Sequence, residues 1–145
     1  MGWSVDLLDG VAQTLTDDGV GVWRPEGPTY ADDETVIVVG AMPPSPDNVI
    51  CLNIYPVDDH RSRDVVTYGV QVRTRGGRDP RTVLNLDDAV FNALDGLAAV
   101  TFGDCTVSQM YRRSSTTIGR DGQEREERTS TYYVDASRPS GAREF

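Results

Sequence analysis

Few residues of the sequence have types and spacings that support catalysis or metal binding. The single histidine, His60, follows Asp58 and Asp59, and the three together resemble part of a metal or acid–base cluster. Their neighbours are polar and include no obvious partner to orient the imidazole, which favours a solvated loop. Asp87 and Asp88 are adjacent acids, but successive helical residues point about 100° apart. We therefore expect these two carboxylates to form an exposed helix face rather than a catalytic pair.

The glycines and cysteines also indicate structure rather than chemistry. Gly76 and Gly77 lie between a predicted strand and a predicted helix, but the segment RGGRDPRT lacks both GxGxxG and GxxxxGK[ST], so turn formation explains them. Cys51 and Cys105 are far apart and outside any CxxC or Cys/His spacing, which predicts two buried thiols. No GxSxG elbow is present. The sequence therefore predicts a protein that is not an enzyme and needs no metal or cofactor.

Four arginines form the most distinctive charged cluster: Arg73, Arg75, Arg78 and Arg81. The first two share one side of a predicted strand, and the others lie at the following turn and helix start. The cluster is either a solvated face with local ion pairs or a docking surface, because arginine pairs well with carboxylates across interfaces. Residues 32–34, 58–59 and 87–88 would supply those carboxylates from a second copy. Opposite charges on different edges suit a head-to-tail ring.

A predicted strand, turn and helix position these arginines. Alternation over residues 67–75 predicts a strand with a core face and a basic face. The core face carries Tyr68, Val70, Val72 and Thr74, and the basic face carries Gln71, Arg73 and Arg75. Asp79 and Pro80 predict the start of a helix that runs to about residue 95, because Asp caps helices and Pro is tolerated at the first position. Its apolar stripe consists of Val83, Leu86, Val90, Leu94 and Leu97.

The remaining patterns complete an α+β domain over residues 1–137. Residues 3–17 predict an amphipathic helix capped by Ser4, and residues 20–23 a short strand or extended connection. Residues 35–41 and 49–55 predict strands, the second ending at Pro56 before a charged loop at 57–64. Residues 106–115 and 124–137 predict a hairpin whose charged end projects from the core. We expect a mostly antiparallel mixed sheet of about five strands with two helices packed on one face, and a disordered tail at 138–145.

Length and charge restrict the class of protein further. The 145 residues suit one domain, and no apolar run is long enough to cross a bilayer or act as a signal peptide. We therefore expect a soluble, unexported protein without a membrane partner. The net charge of −9 disfavours a nucleic-acid binder, which needs a basic surface. An acidic surface can nevertheless face DNA that must slide past.

The segment QVRTRGGRDPRTVLNLDDAVFNAL resembles the small minor capsid or tail terminator proteins of tailed phages that infect actinobacteria. The resemblance extends to the segments GWSVDLLDGVAQTL, GVGVWRPEGPTY, VIVVGAMPPSPDNVICLNIYPV and YRRSSTTIGRDGQEREERTSTYYVDASRP, so it covers nearly the whole chain. No motif within it is catalytic, and the resemblance is one of overall pattern.

The resemblance implies a structural virion protein at the head–tail junction, assembled in the host cytoplasm. Such a protein caps the growing tail tube as a hexameric ring, ends tube polymerisation and forms the surface that joins the tail to the head. Its implied partners are other copies of itself, the tail tube protein and a head-completion or connector protein. DNA passes through the central channel without specific binding.

Carried onto this sequence, the resemblance implies subunit or tube contacts at the arginine cluster, the loop 57–64 and the hairpin 111–133. The candidate interface residues are Arg73, Arg75, Arg78, Arg81, Asp58, Asp59, Arg61, Tyr111, Arg113 and Arg125.

Three other functions stay open on the sequence. A head-completion or connector protein on the portal side of the same joint would share the structural character. A small enzyme or ligand-binding domain would show a concave pocket with convergent polar groups. An accessory DNA-binding protein would show salt-dependent affinity for duplex DNA, which the acidic composition opposes.

Overall fold

A computed structural model describes residues 2–59 and 64–138 of the chain. Two helices and seven strands occur in it. In chain order they are α1 (Trp3–Asp17), β1 (Val22–Trp23), β2 (Val36–Val39), β3 (Val49–Asp58), β4 (Val65–Arg75), α2 (Pro80–Leu94), β5 (Ala98–Phe102), β6 (Cys105–Arg120) and β7 (Glu126–Ser137).

The strands form one mixed sheet in the order β1-β2-β3-β4-β7-β6-β5. The pairs β1–β2 and β2–β3 are parallel, and the other pairs are antiparallel. The predicted α+β class is confirmed, whereas about five strands only roughly fits seven. The strand that sequence patterns missed is β5, whose segment AAVTF is short, exposed at several positions and lacks a strong alternation.

Both helices start and end close to their predicted bounds, but only one has the predicted cap. Asp79 accepts a hydrogen bond of 3.0 Å from the Arg81 backbone N–H and caps α2. In α1 the cap position is Gly2, which has no side chain to accept a bond, and Ser4 lies inside the helix. The prediction that Ser4 caps α1 is therefore wrong, because the helix begins two residues earlier than a cap at Ser4 requires.

The core contains α1, α2 and alternate residues of the central strands. Tyr68, Val70 and Val72 of β4 are buried on the predicted side, in one cluster with the apolar faces of both helices. The indole of Trp3 also donates a hydrogen bond of 2.8 Å to the Ser137 carbonyl, which ties the start of α1 to the end of β7.

Strand β3 is longer than predicted, because it continues through Pro56 to Asp58. Strand β2 pairs with β3 only as far as Leu52. Pro56 therefore lies where β3 has only β4 as a neighbour, and its missing N–H costs no bond to β2.

The charged end of the β6–β7 hairpin does not project from the core, in contrast to the prediction, because β4 supports β7 almost to the turn. Strand β7 pairs with β4 from Val65↔Ser137 to Arg75↔Glu127, so it is an interior strand of the sheet. Sequence patterns could not show this pairing, because β4 and β7 are far apart in the chain and nothing local selects them as neighbours. Strand β6 carries three register shifts, between Val107/Gln109, Arg112/Ser114 and Thr117/Gly119.

The start of the predicted disordered tail is ordered at Arg138. Its backbone N–H donates a hydrogen bond of 2.8 Å to the Asp64 carbonyl, and its guanidinium lies 4.9 Å from the centre of the Trp3 ring. The rest of the predicted tail, residues 139–145, lies outside the described residues.

Candidate assembly interface

The structure divides the arginine cluster into a buried and an exposed part. Arg75 is 2% exposed and donates hydrogen bonds to the Pro46 carbonyl at 2.6 Å and the Asp47 carbonyl at 3.0 Å. The predicted basic face is therefore wrong at Arg75, because the proline-rich segment 43–48 folds over the end of β4 and its carbonyls take up the guanidinium. Burial lowers the pKa of Arg75 from its ordinary value.

Arg125 is also buried and binds the same proline-rich segment. Its guanidinium donates to the Pro44 carbonyl at 2.7 Å and to the Asp121 carboxylate at 2.8 Å. The hydrogen bond from the Arg125 backbone N–H is the main reason that the pKa of Asp121 is lowered. Arg75 and Arg125 thus join segment 43–48 to the β6–β7 turn within one chain. Both are committed to intrachain bonds, and neither presents a free cation to a partner.

The exposed part of the cluster consists of Arg78 and Arg81 at the start of α2. Their side chains are 76% and 84% exposed. Arg78 lies 3.9 Å from the Glu124 carboxylate, and Arg81 lies 2.8 Å from that of Asp79. The hydrogen bond from the Arg81 side chain lowers the pKa of Asp79. Exposed pairs of this kind contribute little to stability because water screens them, so each arginine can exchange its local acid for a partner's at little cost.

Arg73 is intermediate in exposure between the buried and the exposed part of the cluster. It is half-exposed and its guanidinium contacts the carboxylate of Glu127, with a hydrogen bond of 2.6 Å from Nε. Glu127 is only 4% exposed. Arg73 therefore neutralises a buried acid of β7, and its capacity to bind a partner is reduced.

The exposed acids Asp58 and Asp59 lie at the end of the sheet opposite the exposed arginines. In the β3–β4 pair Val49 lies beside Arg75, whereas Asp58 lies beside Thr67. The nine residue steps from Val49 to Asp58, at about 3.3 Å each, separate the two ends by about 30 Å. Asp59 follows Asp58, and both are exposed. The other predicted members of this loop, His60 and Arg61, lie outside the described residues.

The predicted exposed face at Asp87 and Asp88 is wrong at Asp87. Asp87 is 3% exposed and accepts hydrogen bonds from the Ser130 hydroxyl at 2.6 Å and the Ser115 hydroxyl at 3.1 Å. The guanidinium groups of Arg112 and Arg128 lie 3.6 Å from the same carboxylate. Asp87 is buried because α2 packs on β6 and β7, whose side chains replace water around the charge. Of the two acids, only Asp88 is exposed.

The candidate hairpin residues Tyr111 and Arg113 are both exposed on β6. Tyr111 packs edge to face against Tyr133 of β7, with ring centres 6.0 Å apart. Arg113 lies at a register shift, between the paired residues Arg112 and Ser114. Both therefore remain available to a partner, unlike Arg125 at the end of the same hairpin.

Sequence reasoning missed an aromatic row that crosses four strands. Tyr55 lies beside Gly69, Gly69 beside Tyr133, and Tyr133 beside Tyr111. Alternation in the separate strands does put Tyr55 and Tyr111 on predicted strand faces. Only the tertiary pairing of β4 with β7 joins them into one row.

A surface groove of about 390 Å³ lies between α1 and β5, with Asp6, Asp9 and Gln13 on its rim. Its polar groups already act in the fold, since the Asp6 carboxylate accepts a hydrogen bond of 2.9 Å from the Asp104 backbone N–H. The ring of Phe102 packs directly over Gly10. The residues that line the groove hold β5 against α1. No chemically active side chains converge in the groove.

The two cysteines are buried free thiols, as predicted. Burial raises the pKa of both, that of Cys105 to about 11. Within residues 2–59 and 64–138, no three His, Cys, Asp or Glu side chains are grouped to hold a metal ion. No helix in the same part of the chain is long and apolar enough to cross a membrane.

Comparisons with known proteins agree with the sequence resemblance. Residues 14–138 match a family model described as "Bacteriophage tail terminator protein". No curated protein matches the sequence. Among solved structures, the fold is similar to a chain of "Virion of native gene transfer agent (GTA) particle", with a TM-score of 0.58 and 14% identity over 70% of this chain and 78% of that chain. At this identity the likeness concerns the fold alone. Because the family model spans most of the chain, from within α1 through β7, this chain belongs to the bacteriophage tail terminator family.

Proposed function

We propose that this structural tail protein caps the phage tail tube as a hexameric ring at the head–tail junction. There it ends polymerisation of the tube and supplies the surface that joins the finished tail to the head. The observation that carries this proposal is the match of residues 14–138 to the tail terminator family. A connector on the portal side of the joint is the alternative, and the family match favours the terminator.

The ring contact that we propose joins the two charged ends of neighbouring copies. Arg78 and Arg81 of one copy face Asp58 and Asp59 of the next, in a head-to-tail arrangement. The two ends lie about 30 Å apart on one protomer, so Arg78 and Arg81 cannot reach Asp58 and Asp59 of their own chain, and a pairing of these groups joins neighbouring copies. Tyr111 and Arg113 remain exposed on β6 for contact with the tube or a second neighbour.

The acidity of the chain supports passage of DNA through such a ring. The net charge is −9, and exposed acids such as Asp9, Asp17, Asp88 and Asp95 lie on or beside the helices. Like charge prevents a duplex from adhering to the protein that it must pass.

The first test is the mass of the purified protein in solution, measured by light scattering after size exclusion with and without the phage's tail tube protein. We expect a species of about six protomers when tubes are added, and capped tubes of uniform length by electron microscopy. A protein that never associates with tubes but binds portal-side proteins would favour the connector.

A charge exchange tests the contact itself. Arg78→Glu with Arg81→Glu should abolish ring formation, and adding Asp58→Arg with Asp59→Arg should restore it, because the exchange recreates opposite charges across the contact. The control is Asn92→Glu, which adds a negative charge on the exposed side of α2, outside both ends and outside the proposed tube contact. Equal loss in the control, or no rescue by the exchange, would place the ring contact elsewhere.

A further inference from the structure

Within residues 2–59 and 64–138 both helices pack on one face of the sheet, and the central part of the other face is solvent-exposed. We call this surface the open face and define it by three cross-strand rows of β3, β4, β7 and β6. The rows are Tyr55–Gly69–Tyr133–Tyr111, Asn53–Gln71–Thr131–Ser114 and Cys51–Arg73–Thr129–Thr116. Apart from Gly69 and Cys51, all of these residues are exposed or half-exposed. The neighbouring residues in the same strands point to the core, where α1 and α2 pack.

The three rows of the open face carry little charge in a chain that is otherwise rich in it. The acids Asp58 and Asp135 on the same side of the sheet lie in the next row, at the edge of this face. Among the twelve positions of the three rows, the only charged residue is Arg73, and Glu127 neutralises it. By contrast, 26% of the whole chain is charged, with 23 acids against 14 bases. The remaining side chains are hydroxyls, amides, a thiol and tyrosines. Depletion of charge with enrichment of tyrosine is the composition of protein–protein interface cores.

The ring of Tyr55 lies over Gly69, whose missing side chain leaves room for it. A Cβ atom at Gly69 would lie 2.3 Å from the Tyr55 ring, so the ring covers the bare backbone of β4. On the other side of Gly69, Tyr133 supports Tyr111 edge to face. Tyr55 and Tyr111 are each 40% exposed. Packed in this way, they are rigid aromatic surfaces that bury area at low cost in side-chain entropy.

We propose that a second copy of this chain packs on the open face, sheet against sheet, around a two-fold axis. Two chains of −9 repel each other wherever acids meet, and the helix side carries acids such as Asp9, Asp17 and Asp88. Contact through two neutral faces avoids that repulsion. A two-fold contact also closes on itself and matches each face with its own copy. Stacked sheets lie about 10 Å apart, which leaves room for interdigitated tyrosines.

This self-association goes beyond the proposed ring and differs from it physically. The ring contact joins opposite charges, so salt weakens it. The open-face contact joins neutral surfaces on repelling proteins, so salt leaves it unchanged or strengthens it. The dimer also needs no tail tube. The salt dependence and the need for the tail tube therefore distinguish a failure of the open-face contact from a failure of the ring contact.

The test compares two variants that add the same charge at exposed neutral residues. Gln71→Arg puts a cation in the middle of the open face, where a two-fold contact brings two such cations together. Asn92→Arg makes the same charge change on the exposed side of α2. Sedimentation equilibrium across concentration, at low and high salt, gives the dimer dissociation constant. We expect wild type and Asn92→Arg to dimerise, and Gln71→Arg to raise the constant at least about tenfold.

A covalent readout avoids reliance on a single variant. Gln71→Cys should form a disulfide-linked dimer under mild oxidation, whereas Asn92→Cys should not. A wild-type protein that is monomeric at every concentration and salt would overturn the proposal. So would equal behaviour of the Gln71 and Asn92 variants. If Gln71→Arg leaves self-association unchanged but abolishes binding to tail tube protein, the open face binds the tube and the proposal is wrong.

Discussion

The Ser130 hydroxyl donates a hydrogen bond of 2.6 Å to the Asp87 carboxylate, and it joins the middle of α2 to the interior strand β7. Ser115 and two nearby arginines complete the environment of this carboxylate. A carboxylate that would stand in water on an isolated helix is thus the polar centre of the helix–sheet contact.

The first prediction concerns this carboxylate. Asp87→Ala should lower the free energy of unfolding by about 2–4 kcal/mol, because the buried Ser130 hydroxyl loses its acceptor and Arg112 and Arg128 lose the charge with which they pair. The measurement is urea unfolding followed by circular dichroism. Asp88→Ala, at the exposed neighbour, should change stability by less than about 0.5 kcal/mol. Similar losses at both positions would show that burial of Asp87 is not what matters.

The second prediction concerns Gly10 of α1. Alanine normally stabilises a helix interior relative to glycine by about 1 kcal/mol, but a Cβ here would lie 2.0 Å from the Phe102 ring. We therefore expect Gly10→Ala to destabilise the protein by about 1–3 kcal/mol. In a Phe102→Ala background the same change should be stabilising, because the clash is gone. A destabilising effect in both backgrounds would contradict the packing argument.

The third prediction concerns the response of stability to acid. The hydrogen bond from Arg24 is the main cause that lowers the pKa of Glu34. A lowered folded-state pKa gives stability that is present above the unfolded pKa, about 4.3, and is lost as pH falls through the folded value. Glu34→Gln should therefore reduce stability at neutral pH and flatten its fall in acid. Urea midpoints measured across that range, with Glu26→Gln as the exposed control, test this.

The fourth prediction concerns the thiols. Cys51 is 2% exposed and Cys105 is fully buried, and burial raises the pKa of both. Alkylating reagents at about pH 8 should modify neither cysteine in the native protein, and both after unfolding in guanidinium. Mass spectrometry of the alkylated protein counts the modified sites. Rapid modification of Cys51 in native protein would show that the cover from Tyr30, Val38 and Met42 opens.

Local patterns were sufficient for the parts of the fold that local forces determine. The spacing of apolar residues predicts both helices, and Asp79 with Pro80 marks the start of α2 because a cap and its helix are neighbours in sequence. Alternation also predicts the buried side of β4. The two-residue period of a strand is enough to place Tyr68, Val70 and Val72 on one side. The family resemblance likewise follows from the order of these segments and is confirmed over residues 14–138.

Tertiary structure alone decided which polar residues remain at the surface. Arg75 and Asp87 occupy positions that strand and helix periods predict to be exposed, yet both are buried. The reason is that their partners, the Pro46 carbonyl and the Ser130 hydroxyl, lie 29 and 43 residues away. Pairing of β4 with β7 likewise makes the hairpin an interior part of the sheet and joins Tyr55 to Tyr133 across Gly69. A sequence pattern shows only the period of each helix or strand. Whether a charged side chain is buried depends on partners from distant parts of the chain, which become neighbours only when the sheet has formed.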